Sequence, residues 1–290
     1  MRSILLFSLL LCALCVSAFS LSPAVSRAHL SPQGTPDNMH AYLGFDRNIY
    51  PGDEALPILR KTFSFSSYWL SPRPGEKTNT WSGKRELLRK HGFGFLVLFR
   101  ARESREVKSP AAATKAGMGD GKEAAAAAKS EGFAAGTTIF IDVEEGGRLR
   151  ANYLIYVLKW IEELQRAGYS PGVYCSGMPV EDAPGVIITT ADNIRSSAKS
   201  RDISFWAYND FCPASPGCAF PENPPPPSSS GIGYAVVWQF AQSPRRKEFT
   251  AQCVATYHRD GNCYAPGDAA HAWFLDVNTA TSADPSGGAK

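Results

Sequence analysis

A strong excess of charge of either sign is missing from the sequence. Lysine and arginine number 30 against 27 aspartates and glutamates. No basic stripe gathers along any segment, which argues against a nucleic-acid partner. Long apolar runs are also scarce. One opens the chain, in MRSILLFSLLLCALCVSAFS, and extends only from Ile4 to Val16, short of the roughly 20 residues a membrane helix needs. With Arg2 before it and Ser17 and Ala18 after it, the stretch reads as a secretory signal peptide over residues 1–18, with a retained anchor as the alternative. Leu11 and Leu14 stand where a lipoprotein cleavage box wants a small residue. The mature chain is therefore expected outside the cytoplasm, secreted or periplasmic, with no stable membrane span after cleavage.

Several chemistries lack their signatures. There is no H-E-x-x-H, no G-x-S-x-G and no Walker loop, and the five histidines are scattered. Of seven cysteines, Cys12 and Cys15 leave with the leader. The spacings among Cys175, Cys212, Cys218, Cys253 and Cys263 do not match the close ligand pairs of a zinc site. Two of the intervals suggest loop staples, Cys212–Cys218 and Cys253–Cys263, which export would permit. Cys175, in GVYCS, reads as a small buried residue. Neither a metal nor a cofactor is expected.

What is present is a recurrent alternation of apolar strands and helices. Strands are expected over Ala41–Asp46, Phe63–Leu70, Phe93–Phe99, Thr137–Glu144, Pro171–Ser176, Ile203–Asp210, Ala235–Ala241 and Trp273–Asn278. Between them, GKRELLRKHG, KEAAAAAKSE, LRANYLIYVLKWIEELQRAG and TADNIRSSAKS read as helices. The stretch KSPAAATKAGMGDG reads as loop. Continuous apolar strands point to a parallel sheet covered on both faces. Eight of them in this length point to an α/β fold, a single TIM-like (β/α)8 barrel with some helices missing. An open doubly wound sheet competes, but RNIYPGD after the first strand is not its phosphate-cradling glycine turn. The expected organisation is a loose segment over 19–38, the barrel over 39–280 and a disordered tail over 281–290.

In such a barrel the site lies at the carboxyl ends of the strands. Polar residues collect there: Asp46, Asp142, Glu144, Asn209, Asp210, Gln239 and Asp276. Asp142 and Glu144 stand two apart, so on a strand they share a face. Crowded, buried carboxyls cannot all ionise cheaply, so at least one is pushed up, with Glu144 the expected holder of the proton. A carboxylic acid still protonated near neutral pH suits cleavage of a glycosidic bond. Glu145, facing the other way, is expected to be solvated. Aromatic residues at the strand ends, Tyr174, Tyr208 and Trp238 above all, offer faces on which sugar rings stack. Trp69, Trp206 and Trp273 also sit in or near strands, where core packing explains them as well.

The ordered set GFD, GTTIFIDVE, GYSPGVYCS, FWAYND, VVWQF and FLDVN, over roughly residues 41–280, resembles the glycoside-hydrolase-like domain of unknown function found in secreted bacterial proteins. More distantly it is similar to the muramidase-type lysozyme family. The resemblance implies a TIM-like barrel that cleaves the glycan of peptidoglycan or a related polysaccharide. It implies Glu144 as acid/base, Asp142 as the residue orienting it, and Asp46 and Asp276 as groups that position substrate or water and stabilise charge. Two alternatives remain at this point. One is a non-catalytic glycan-binding barrel of the cell envelope. The other is an envelope protein presenting its proline loop, Pro224–Ser230, to a partner.

Overall fold

The structure is a computed structural model that describes residues 40–73, 75–199, 202–209, 220, 222–241, 265–270 and 272–290. The leader, the segment 19–38, Asp210 and the two expected cysteine staples lie outside the described residues. Eight of the described strands close into a barrel in the order β1 (Tyr42–Asp46), β10 (Asp276–Ala280), β9 (Ala235–Ala241), β8 (Ser204–Tyr208), β5 (Ser170–Ser176), β4 (Thr138–Asp142), β3 (Gly94–Arg100) and β2 (Phe65–Trp69). A two-stranded hairpin, β6 (Val180–Ala183) and β7 (Val186–Ile188), follows β5. The helices are α1 (Leu56–Leu59), α2 (Arg85–Lys90), α3 (Pro110–Ser130), α4 (Ala151–Arg166) and α5 (Thr190–Ala198). The fold is thus an irregular TIM-like barrel, and among the described residues no α-helix follows α5.

The pairings correct one expectation. Seven strands run parallel, but β10 is antiparallel to both neighbours, β1 and β9. Asp276 therefore opens its strand instead of ending it. The reversed direction still puts it on the functional rim, because its register partner is Asp46. The last strand also starts later than expected, at Asp276 and not at Trp273.

Helix α4 follows its apolar pattern: Tyr153, Tyr156, Val157, Trp160, Ile161 and Leu164 are all buried. Each such side chain contributes roughly 1.5–3 kcal/mol when removed from water. Helix α3 is longer than its sequence suggests, taking in AAATKAGMGDG, which reads as loop. Ser109 caps it, accepting from the Ala112 amide, and Pro110 takes the first helical position. Its glycines serve contact with α4. A Cβ on Gly117 would stand 2.4 Å from the Tyr156 carbonyl oxygen, and one on Gly121 would stand 2.9 Å from the Glu163 Cβ. The small-residue face, continued by Ala113, Ala124 and Ala128, lets the two backbones approach.

Residues 281–290 are packed, not disordered. The β3–β4 ladder begins only at Val97 and Ile139, which leaves the first part of β3 unpaired on that side. The tail fills the gap. The Ser286 amide donates to the Phe95 carbonyl (2.8 Å), the Thr138 amide to the Ser286 carbonyl (2.9 Å), and the Phe95 amide to Asp284 Oδ1 (2.8 Å). Buried Arg85 donates to the Gly288 carbonyl (2.9 Å). Backbone groups that would otherwise be orphaned in the barrel wall are satisfied in this way, a need that composition cannot reveal.

The α3–α4 contact yields a prediction against helix propensity. Gly117→Ala gains about 1 kcal/mol of intrinsic helix preference, but the added methyl meets a backbone oxygen. Overpacking of about 1–3 kcal/mol outweighs that gain, so urea denaturation should show a less stable variant. A stabilised one would refute the close packing.

Candidate active site

Strand register assembles the mouth of the barrel. Moving around the ring, Asp46 stands opposite Asp276, Asn278 opposite Gln239, Gln239 opposite Tyr208, Trp206 opposite Tyr174, Tyr174 opposite Asp142, and Asp142 opposite Arg100. Paired residues share a face, so one inward-facing rim carries them all. A cavity of about 220 Å3 at this rim is lined by Asp46, Asp142, Glu144, Tyr174, Gln239 and Asp276, together with Asn48, Trp69, Leu98 and Trp206. All four expected catalytic carboxyls meet there. Its floor depends on Gly172. A Cβ on that residue would fall 2.4 Å from Phe140 Cδ1, so its absence admits the Phe140 ring, which packs edge-on against Trp206 at 6.0 Å.

Asp46 is the most constrained of the acids, 5% exposed. Gln239 Nε2 (2.9 Å) and Asn278 Nδ2 (2.6 Å) both donate to its Oδ2. Each amide is turned by an aromatic donor. Trp206 Nε1 donates to Asn278 Oδ1 (2.9 Å), and the Tyr174 hydroxyl donates to Gln239 Oε1 (3.0 Å). The indole N–H can only donate, so it fixes the Asn278 oxygen towards itself and the amide nitrogen towards Asp46.

The electrostatics follow burial. Desolvation pushes Asp46 from 3.8 up to about 6; the hydrogen bonds from Asn278 and Gln239 hold it lower, and the Glu144 charge adds to the rise. Asp142 is pushed well above the usual carboxylate range by burial and then by Glu144 and Asp46, with Arg100 pulling the other way. The Tyr174 hydroxyl is likewise driven up, first by burial and then by the four acids, and stays a donor. The carboxyls that burial and crowding push up are Asp142 and Asp46. Glu144 is exposed at the mouth and borders two cavities.

The remaining sequence candidates divide. Tyr208 lies 6.4 Å from Tyr174, ring to ring. Trp238 does not join the rim: it is on the opposite face of β9 from Gln239, buried, with its indole N–H donating to the Asn209 carbonyl (2.9 Å). Asn209 itself donates to the Ser230 carbonyl (2.8 Å). These two secure the strand end and do not line the cavity. Glu145, expected in solvent, accepts from the Ser104 amide (3.1 Å). Asn48, Arg100 and Asn278 are not among the sequence candidates, whereas Trp69 and Trp206, for which the sequence leaves sugar stacking and core packing both open, line the cavity. Asn278 carried a usable signal, since it stands two residues from Asp276 and so shares its face. Among the described residues no group of His, Cys, Asp and Glu is arranged to hold a metal ion, and Cys175 is free and buried, its thiol pushed up by burial.

Known structures with similar chains include an uncharacterized protein from B. stearothermophilus, 18% identical over 82% of this chain and 95% of that one, with a TM-score of 0.49. Another is the Tat-secreted protein Rv2525c of Mycobacterium tuberculosis, 13% identical over 83% and 95%, with a TM-score of 0.47. A third is the catalytic domain of the endolysin ply40 from bacteriophage P40 of Listeria monocytogenes, 14% identical over 84% and 95%, with a TM-score of 0.46. No curated protein matches the sequence. The family model of the Rv2525c-like, glycoside hydrolase-like domain matches residues 71–221, just over half of the chain. The chain belongs to the Rv2525c-like, glycoside hydrolase-like domain family.

Proposed function

We propose that this protein is an extracytoplasmic glycoside hydrolase acting on peptidoglycan or a related polysaccharide. The observation that carries the reading is the convergence of Asp46, Asp142, Glu144 and Asp276 on one cavity that also presents Tyr174, Trp206 and Gln239. Family membership and the signal-peptide-like leader support it.

In this reading Glu144 is the acid/base, since it is the exposed carboxyl of the four and borders both cavities. It gives a proton to the leaving glycosidic oxygen as the bond to the anomeric carbon breaks. Water adds at that carbon, and its proton returns to the carboxylate. Positive charge developing on the sugar faces ionised Asp46, held rigidly by its two amides. Asp142, its carboxyl pushed up by burial, limits the negative charge of the cluster and orients Glu144. Asp276 positions substrate or water, and Tyr208 extends the aromatic lining beside Tyr174.

The direct test is release of reducing ends from peptidoglycan by the mature protein. Removing a general acid/base costs about 10²–10⁴-fold, so Glu144→Gln should lose at least a hundredfold in kcat with an unchanged melting temperature. Saccharide binding with no turnover in either form would instead mark a non-catalytic glycan-binding barrel.

A second test uses pH. Asp46 must be ionised to oppose positive charge, so activity should rise as pH passes through about 6. Stability should move the other way. The folded state retains a proton that the unfolded chain has released between roughly pH 4 and 6, so this contribution is present at low pH and lost as pH rises through the folded value. The shift corresponds to roughly 3 kcal/mol. Asp46→Asn keeps an oxygen to accept from both amides. It should be inactive, match the wild type in thermal stability near pH 3, below both values, and exceed it at pH 8. Lower stability than wild type at pH 8 would contradict the desolvated-carboxylate account.

A further inference from the structure

Beside the acid pocket lies a larger cavity of about 380 Å3, sharing Asn48, Trp69, Asp142 and Glu144 with it. Arg73, Arg100 and Arg102 line it, and the same three line a further depression of about 210 Å3 leading outward from it. A groove thus runs from the carboxyls over the ends of β2 and β3, its outer part lined by these arginines and by Glu76, Glu106, Asp120 and Glu123.

The three arginines are not equivalent. Arg102 is committed within the fold: its Nε and Nη2 both donate to Asp120 (2.7 and 2.8 Å), which also accepts from the Tyr156 hydroxyl (2.9 Å). Arg73 forms a solvent-exposed pair with Glu76 at 2.8 Å, the kind that contributes little and exchanges easily. Arg100 is partly buried, and its guanidinium has no hydrogen-bond or ion-pair partner among the described residues. Strand alternation places it on the same inward face as Leu98, a lining residue of the acid pocket. Its cross-strand neighbour is Asp142. A half-buried guanidinium with five donors and no acceptor is costly to leave so. Two other carboxylates on this cavity are already engaged, Glu103 with Arg105 and Glu145 with the Ser104 amide.

The geometry points to this cavity as a subsite for a carboxylate-bearing sugar, with Arg100 reading the carboxylate and Arg73 joining it by releasing Glu76. The substrate is then an acidic glycan. This rests on the glycan-cleaving reading and specifies its substrate class. A guanidinium forms two parallel hydrogen bonds to a carboxylate, which gives direction as well as attraction. The carboxylate can belong to a hexuronate ring or to a lactyl ether on an amino sugar.

Calorimetric titration of the full chain, carrying Glu144→Gln so that no ligand is consumed, tests this. The probes are an oligouronate and stem-free peptidoglycan glycan strands, each beside its carboxyl-reduced counterpart. At least one acidic probe should bind roughly ten- to a hundredfold tighter than its reduced form, as a charge-assisted hydrogen bond allows; which one does so identifies the source. Arg100→Gln should abolish the preference, and Arg100→Lys, which keeps the charge but not the fork, should restore part of it. Equal binding of acidic and reduced probes would overturn the subsite and leave the glycosidase reading standing. A preference untouched by Arg100→Gln would remove Arg100 as the reader. No binding of any of the four probes would overturn both.

Discussion

The buried carboxylate of Asp46 is the constraint on which the rest of the mouth turns. A carboxyl in this position is expensive, and the fold offsets the cost with two amide donors on one oxygen. Those amides would be free to flip if Trp206 and Tyr174 did not hold their far ends. Five residues on five strands, β1, β5, β8, β9 and β10, are fixed by this one network. Such networks are stiff when every member is satisfied, and this one is satisfied only if the barrel closes in its observed register. A slip of one residue in β10 would turn Asn278 outward and leave Asp46 without its closest donor.

Closure through an antiparallel strand is what makes the network possible. A parallel last strand would deliver its carboxyl-terminal end to the rim, and Asp276 and Asn278 would then need to lie at that end. With the strand reversed, Asp276 comes first and meets Asp46, and Asn278, two residues deeper, reaches back up to the same carboxylate. The spacing D-x-N encodes this arrangement only once the direction is known.

Much of this was legible in the sequence, and the failures share a cause. The strands, the amphipathic α4 and the acids at Asp46, Asp142 and Glu144 follow from hydrophobic period and position, which are local properties. The direction of β10, the length of α3 and the docking of residues 281–290 depend on partners distant in sequence. Gly117 and Gly121 look like helix breakers until α4 is known to lie against them. The Ser- and Gly-rich tail looks unstructured until the open edge of β3 is known to need its hydrogen bonds. Trp238 lies near a strand end, which suits the rim as well as the core, but period two sends alternate residues to opposite faces, and Gln239 takes the inward place. Arg100 is the converse. It ends an apolar strand that reads as core, and only the parity shared with Leu98 brings it to the mouth.

The mouth is divided electrically, and β4 is the seam. On one side β1, β9 and β10 supply Asp46, Gln239, Asp276 and Asn278; on the other, β3 and the loops after β2 and β3 supply Arg100, Arg73 and Arg102. Asp142 and Glu144 stand between, bordering both cavities. The family match over residues 71–221 takes in the seam and the arginine side but not Asp46, Gln239, Asp276 or Asn278. The division has a chemical consequence. A polymer lying across β4 would present its bond to Glu144 with one sugar over a desolvated, hydrogen-bonded carboxylate and the next over guanidinium groups. Positive charge developing on the first sugar would be favoured by Asp46, and an acidic substituent on the second by Arg100, in the proposed reading. The same asymmetry disfavours the reversed orientation, in which the substituent would face Asp46 and the developing charge would face arginine. On the proposed reading, chain direction along the groove would be set by charge before any contact specific to a sugar hydroxyl is made.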